Sequence, residues 1–381
     1  MRIAAQTSAV MHRKQLAVLG LFLAAAAVVT IQRSLYGFPN DYAIFRASFW
    51  NLIAHRDLYV LRLDQARDYF KYSPAFALLF APFAVLPFTA GLMLWNMLNA
   101  AAIVFALSAL LAEEQSLAAQ LLVFLPTLRS MQSSQSNPLV TALIIAAFVA
   151  YENGRLWRGA AAVALGTAIK IFPAAALTFA LPRRDRLRAI AIAVACIALL
   201  IVLPLLVVPP SELFAQYKSW SALQRGEATL VGSSAMRLVR EAGLDWPAWP
   251  LQLAAAATLL AVLLVRLRDW SDRSVRLQFL ALTLVFCVVF NHRAERQSSV
   301  IAMCGMVIWL LSTPRTPWRV TLFTMTYALV VLTGADVVPT AIKRALGPDI
   351  RFTIPLTIGW LAILGDFAFG RNHRPLVAEA R

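Results

Sequence analysis

Apolar runs recur from one end of this chain to the other, and nothing else in it narrows the possible folds so far. They fall at 16–32, 74–86, 88–112, 117–129, 138–151, 159–181, 187–208, 250–267, 277–291, 298–312, 318–334 and 352–367. A helix needs about 20 apolar residues to cross the hydrocarbon core, and several runs reach that length. Others fall below the ~17 residues of a comfortable span, so the runs are candidates and not a count of crossings. A membrane barrel reads instead as alternating segments of about ten residues, a pattern not seen here. Composition agrees: 60% of the 381 residues are hydrophobic and 14% are charged, against about half and about a quarter in a soluble domain. The expectation is an all-α polytopic membrane protein of roughly 10–12 transmembrane or re-entrant helices. It forms a single integral membrane domain over 1–381, with no convincing internal repeat.

The net charge is +16, from 35 Lys and Arg against 19 Asp and Glu. In a soluble protein that excess suggests nucleic acid. Here the arginines sit in short loops between apolar runs, where orientation signals lie, and no nucleic-acid signature accompanies them. Arg183, Arg184, Arg186 and Arg188 fill one loop, and Arg266, Arg268, Arg273 and Arg276 another. Arg315 and Arg319 lie in a third, and Arg371 and Arg374 in the tail. All four fall on one side if each later run crosses once, and the positive-inside tendency makes that side cytoplasmic. Both termini are then cytoplasmic, in what is expected to be a bacterial plasma membrane. The loops at 33–73, 209–249, 292–297 and 335–351 are expected outside. Arg2, His12, Arg13 and Lys14 precede the first run without a clean cleavage site, which reads as a retained span. Cys196, Cys287 and Cys304 lie inside apolar runs, without metal-ligand spacing or a disulfide pattern.

Simple alternation fails twice. Loops 152–158 and 182–188 both carry arginines, yet one apolar run separates them, interrupted by Lys170 and Pro173. The favoured reading is a re-entrant hairpin over 159–181 with Lys170 at its tip, since a lysine in hydrocarbon is expensive and broken backbone survives there only in protein or a wet cavity. The other is a straight span. Between loop 33–73 and residue 152 four candidate runs stand where an odd number of crossings is required. Either 117–129 and 138–151 are halves of one interrupted helix, or one of them is re-entrant.

The outer loops carry the polar inventory. Tyr42, Phe45, Phe49 and Ile53 recur at helical spacing opposite Ser48, Asn51 and His55, which predicts an amphipathic surface helix capped by Asn40 or Asp41. Trp220, Trp246 and Trp249 in loop 209–249 read as interfacial anchors. Asp41, close to the outer surface, suits a helix cap or a general base equally. Tyr72 and Pro74 have ordinary interfacial and helix-start explanations. Gln135 and Asn137 serve either as helix glue or as partners for sugar hydroxyls. Lys170, in mid-run, suits a phosphate by charge and hydrogen bonding. His292, Arg293 and Glu295 form either a solvated turn or contacts to phosphate or sugar. Phosphate loops, nucleophile elbows and zinc helices are missing from the chain. An enzyme of this kind therefore acts on a membrane-resident, already activated substrate.

Asp41-Tyr42, Leu58-Tyr59, Phe70-Lys71-Tyr72-Ser73-Pro74, Leu78-Leu79-Phe80-Ala81-Pro82-Phe83 and Leu94-Trp95 form an ordered series. Gln135-Ser136-Asn137, Gly154-Arg155-Leu156-Trp157-Arg158-Gly159 and Ala168-Ile169-Lys170-Ile171-Phe172-Pro173 continue it. The series, over 38–190, resembles glycosyltransferase family 87, and Gly232-Ser233-Ser234 with Arg237-Leu238 fits more loosely. That resemblance implies a C-type membrane glycosyltransferase using a polyprenyl-phosphate sugar, mainly mannose. It implies inverting transfer to a lipid or glycan acceptor at the outer face, with Asp41 as general base. Lys170 matches the family's lysine, and its charge, with Arg237 and His292, suits the donor phosphate. Tyr72, Gln135, Asn137 and Glu295 are the candidate contacts to sugar or acceptor. Cationic side chains suffice for a monophosphodiester, so no metal or cofactor is expected, and the partners are the donor, the acceptor and membrane lipids. The chain departs from the family's Gly-Gln-x-Asn at Ser134. A transporter or flippase of lipid-linked sugar is the alternative, because broken helices and an intramembrane lysine also occur there.

Overall fold

The computed structural model describes residues 2–227, 230–334 and 338–370, and every regular element in them is helical. The tail arginines Arg371 and Arg374, and with them the C-terminus expected on the cytoplasmic side, lie outside the described residues. In chain order the α-helices are α1 (Arg2–Tyr36), α2 (Asn40–Ile53), α3 (Pro74–Leu79), α4 (Ala81–Ala84), α5 (Phe88–Leu110) and α6 (Glu113–Gln132). Then come α7 (Asn137–Glu152), α8 (Leu156–Ile169), α9 (Arg186–Val202), α10 (Pro210–Gly226), α11 (Ala235–Glu241) and α12 (Ala248–Val265). The last are α13 (Arg273–Val289), α14 (Ser299–Ser312), α15 (Pro317–Val330), α16 (Thr340–Pro348) and α17 (Ile354–Phe369). Five of the helical segments are long and apolar enough to cross a membrane: Arg13–Tyr36, Phe88–Leu110, Arg186–Leu206, Ala248–Val265 and Thr340–Phe369. The chain is therefore an all-α polytopic membrane protein.

Hydrogen bonds at the helix ends sort the bundle into two ends. At one, Arg276 pairs with Glu152 at 2.6 Å and Arg273 donates to the Leu110 carbonyl at 2.5 Å. Ser274 bonds the Ser312 carbonyl, and Arg266 the Gly370 carbonyl. At the other, Arg33 donates to the Gln132 carbonyl and Trp95 to the Ser134 carbonyl. These ties order the traverses: α5 runs toward the arginine end, α6 returns, and α7 goes back. Buried nearly all round, α14 carries the core, with Met303, Cys304, Val307 and Trp309 fully enclosed; a helix apolar on every face belongs at the centre of a membrane bundle.

Two of the sequence expectations change here. The run at 117–129 is part of the full-length α6, and 138–151 is the separate helix α7. The run that does not cross is 74–86, which breaks into α3 and α4 and packs on α2 at the end away from the arginines. Pro74, Pro82 and Pro87 are the physical reason, since each removes a backbone donor and restricts the residue before it.

The hairpin over 159–181 is present. Its first arm is α8, Lys170 is extended (φ −143°, ψ 142°), and a 3-10 helix over Phe172–Ala180 forms the second arm. Arg183, just past that arm, donates to the carbonyl of Tyr151, at the end of α7. Arg155 and Arg158 line one surface hollow with Asp185 and Arg188, so both arms start from the arginine end. The arms touch closely at Gly166, where a Cβ would stand 2.9 Å from Pro173. Fourteen helical residues span about 21 Å, which carries Lys170 deep toward the opposite end.

At that opposite end the loops pack on one another. The α2 helix buries Tyr42, Phe45 and Phe49 as expected, but Ile53 at its end is exposed, and Ser48 and Asn51 are buried too. The cause is a second cover: the stretch after α2 folds back so that Asn51 bonds Gln65 at 2.8 Å. The cap assignment also changes. Pro39 occupies the cap position without a side-chain bond, and Asp41 sits in the first turn, where a carboxylate still meets the positive end of the helix dipole. Helix α10 lies across this layer, with Gln216 bonding both Leu58 and Arg56 backbones. Trp220 is tied into this layer, its indole donating to the Lys71 carbonyl at 3.1 Å, whereas Trp246 and Trp249 are exposed.

Candidate active site

Three chain segments converge where Asp41 lies. The first is the opening turn of α2. The second is the tight connection 133–137 between α6 and α7. Here Ser134 adopts φ +56°, the left-handed conformation that commonly ends a helix and suits glycine. Its amide bonds the Met131 carbonyl at 2.8 Å, and its own carbonyl is held by Trp95 at 2.8 Å. That turn directs Gln135 and Asn137, both buried, into the bundle. The third segment is the hairpin tip, where Lys170 Nζ donates to Asn137 Oδ1 at 2.7 Å. The tip is pinned to the loop before α3 by Ser73, whose hydroxyl donates to the Ala168 carbonyl at 2.6 Å.

Glu295 arrives from the loop between α13 and α14. Gln135 Nε2 donates to its Oε2 at 3.2 Å, and the same Gln135 side chain hydrogen-bonds Asp41. Asp41 and Glu295 are thus two carboxylates sharing one amide, with the Lys170 ammonium acting on both. Tyr72 stands beside the two carboxylates, its ring edge-on to Phe45 at 4.9 Å. Burial, and next the negative charge of Glu295, push the Asp41 carboxyl up to about 7, against the opposing pull of Lys170 and Gln135. A carboxyl poised there is a competent proton acceptor near neutral pH. Two buried polar atoms, Gln135 Oε1 and Asn137 Nδ2, have no protein partner. Buried groups of this kind are usually paired, and a hydroxyl-bearing ligand supplies both a donor and an acceptor.

Asp41, Tyr72, Gln135, Asn137, Lys170 and Glu295 are therefore brought together, and two expected residues are not. Arg237 is held between Glu241 at 2.9 Å and Asp349 at 3.0 Å, so carboxylates already compensate its charge. His292 stands on the same loop as Glu295 but turns its Nδ1 to Gln252 at 3.3 Å. Burial and then the Arg293 charge hold its imidazole below the ordinary value, so near neutral pH it offers hydrogen bonds and not a positive charge.

A second tier was missed from sequence. Lys71 pairs with Asp68 at 3.0 Å and with Glu227 at 3.3 Å, and Glu227 reaches Arg293 at 3.1 Å. This ladder of alternating charge ties three loop segments together. Gly232 belongs to the same closure: its amide bonds the His292 carbonyl at 2.6 Å, and a Cβ there would stand 2.4 Å from the Ala294 carbonyl. Lys71 and Gly232 were visible in the quoted series, but nothing local marks Glu227.

A profile described as Glycosyltransferase family 87 matches residues 70–291, more than half of the chain. The match takes in Tyr72, Gln135, Asn137 and Lys170; Glu295 lies just past its end, and Asp41 lies well before its start at residue 70. No curated protein matches the chain.

Proposed function

Since the chain belongs to glycosyltransferase family 87, we propose that this membrane glycosyltransferase moves a hexose, mannose first among candidates, from a polyprenyl-phosphate donor to a hydroxyl of a lipid or glycan acceptor. The observation that carries the reading is the convergence of Asp41 and Lys170 through Gln135, Asn137 and Glu295, at the end of the bundle opposite the arginine loops. By the positive-inside tendency that end faces outward, where nucleotide sugars are not the natural donors and a lipid-linked sugar supplies its own leaving group.

In the proposed step Asp41 takes the proton of the acceptor hydroxyl as its oxygen bonds to the anomeric carbon from the face opposite the phosphate. The bond from that carbon to the phosphate oxygen breaks, and the configuration inverts. Lys170 meets the charge growing on the departing phosphate, the kind of placed stabilisation that supplies most of such a rate. Gln135 Oε1, Asn137 Nδ2, Tyr72 and Glu295 are assigned to sugar and acceptor hydroxyls.

The test is purified protein in liposomes with labelled polyprenyl-phosphate mannose and a lipid extract. Label moving into a new lipid or glycan supports the reading. Label crossing the bilayer on an unchanged donor supports the flippase alternative, and transfer only from a nucleotide sugar removes the lipid donor.

A further inference from the structure

At the arginine end, away from the site just described, two hollows meet at one pair of residues. The first, about 400 Å³, runs between α5 and α7 and is walled by Ala106, Ala142 and Ala146, with Phe105 beside them. Its far end is closed by Asn153, Arg155 and Arg158. The second, about 360 Å³, opens at the surface and is lined by the same Arg155 and Arg158 with Trp157, Arg188 and Asp185. Asp185 is engaged by Arg183 at 2.8 Å. Arg155 and Arg158 have no ion-pair partner among the described residues, and both are exposed.

Two chemistries stand side by side across Arg155 and Arg158, an apolar trough and a cationic mouth flanked by an exposed tryptophan. Charge complementarity calls for an anion at the mouth. The trough calls for a hydrocarbon chain, since Phe105 is 60% exposed along it. The donor's own tail does not fit the trough. Ala146 follows Asn137 by about two and a half helical turns, so the trough lies on the face of α7 opposite the one that meets Lys170. We propose that this end of the bundle holds one anionic phospholipid, with its phosphate between Arg155 and Arg158 and one acyl chain in the α5–α7 trough. The leaflet on the arginine side is the one rich in anionic lipid when that side is cytoplasmic.

Native mass spectrometry of the full chain, exposed in detergent to equal phosphatidylglycerol and phosphatidylcholine, tests this. Phosphatidylglycerol should be retained about tenfold or more over phosphatidylcholine, since each basic residue at a membrane surface contributes about a factor of five. Arg155→Gln with Arg158→Gln should erase that preference, and Arg155→Lys with Arg158→Lys should keep most of it. Ala146→Trp, which fills the trough and leaves the arginines in place, should lower retention of both lipids and decides the matter alone if the double Gln variant does not purify. Phosphatidylglycerol retention unchanged by the Gln pair or by Ala146→Trp overturns the proposal. Displacement by inorganic phosphate at equal concentration overturns it in favour of a bare anion site, and preferential capture of farnesyl phosphate in favour of a donor channel.

Discussion

Replacing Asp41 by Asn separates chemistry from stability in one variant. The carboxyl ionises near 7 in place of 3.8, so its charged form is disfavoured by about 4 kcal/mol, at about 1.4 kcal/mol per pH unit. The sign follows from linkage: a raised carboxyl contributes stability that is complete below 3.8 and is lost as pH rises through about 7. Asn resembles the protonated form and is indifferent to pH. Asp41→Asn should therefore match the natural chain at pH 3.5, gain on it through the window from 3.8 to 7, and stay ahead by up to about 4 kcal/mol above it. Apparent melting followed by tryptophan fluorescence in detergent at pH 5 and 8.5 reads the difference, with the larger gap expected at 8.5. Turnover should fall at least ~10²-fold, the usual loss for a positioned base. An equal gap at both pH values refutes the assignment of the raised carboxyl to Asp41, and near-normal turnover refutes its role as base.

Lys170→Met should weaken binding of a polyprenyl-phosphate sugar by roughly 1.5–3 kcal/mol, the range for a charged hydrogen bond; unchanged affinity in a folded variant removes the phosphate assignment. Glu295→Gln takes a negative charge away from Asp41 and should move the acid limb of the rate–pH profile below 7, whereas a limb that stays in place means that Glu295 does not act on the base. Ser134→Gly should raise melting slightly, because relief of a left-handed serine, about 1–2 kcal/mol, exceeds the ~0.5–1 kcal/mol of added chain entropy; a clear loss of stability contradicts that account of the turn. Cysteines placed at Asn153 and Arg184 should be labelled from one side of the membrane only, and labelling from opposite sides removes the hairpin.

Much of the architecture is legible in the apolar runs, because a helix that must satisfy its backbone inside hydrocarbon declares itself by length. The hairpin was legible for a complementary reason: Lys170 and Pro173 cannot sit in a straight span cheaply, and arginines mark both its ends. The run at 74–86 misleads because its apolarity serves burial against Tyr42 and Phe45 of α2, and burial in protein and burial in lipid look alike in composition. Asp41 and Lys170 stood out through the family resemblance, but their meeting depends on Asn137 and Gln135, buried amides that looked equally like helix glue. Glu295 could not be ranked above His292 or Arg237 from sequence. Its placement follows from how the α13–α14 loop docks on Gly232 and Ser233, and Arg237 is taken out of contention by Asp349, a partner far along the chain.

The most direct measurement follows the anomeric carbon itself. Purified protein is given polyprenyl-phosphate mannose carrying ¹³C at that carbon, together with an acceptor lipid extract, and the product is read by NMR. The expected result is a mannosylated product of configuration opposite to the donor's, formed by the natural chain and lost in Asp41→Asn. A product of retained configuration, or transfer that persists undiminished in Asp41→Asn, contradicts inverting transfer with Asp41 as base.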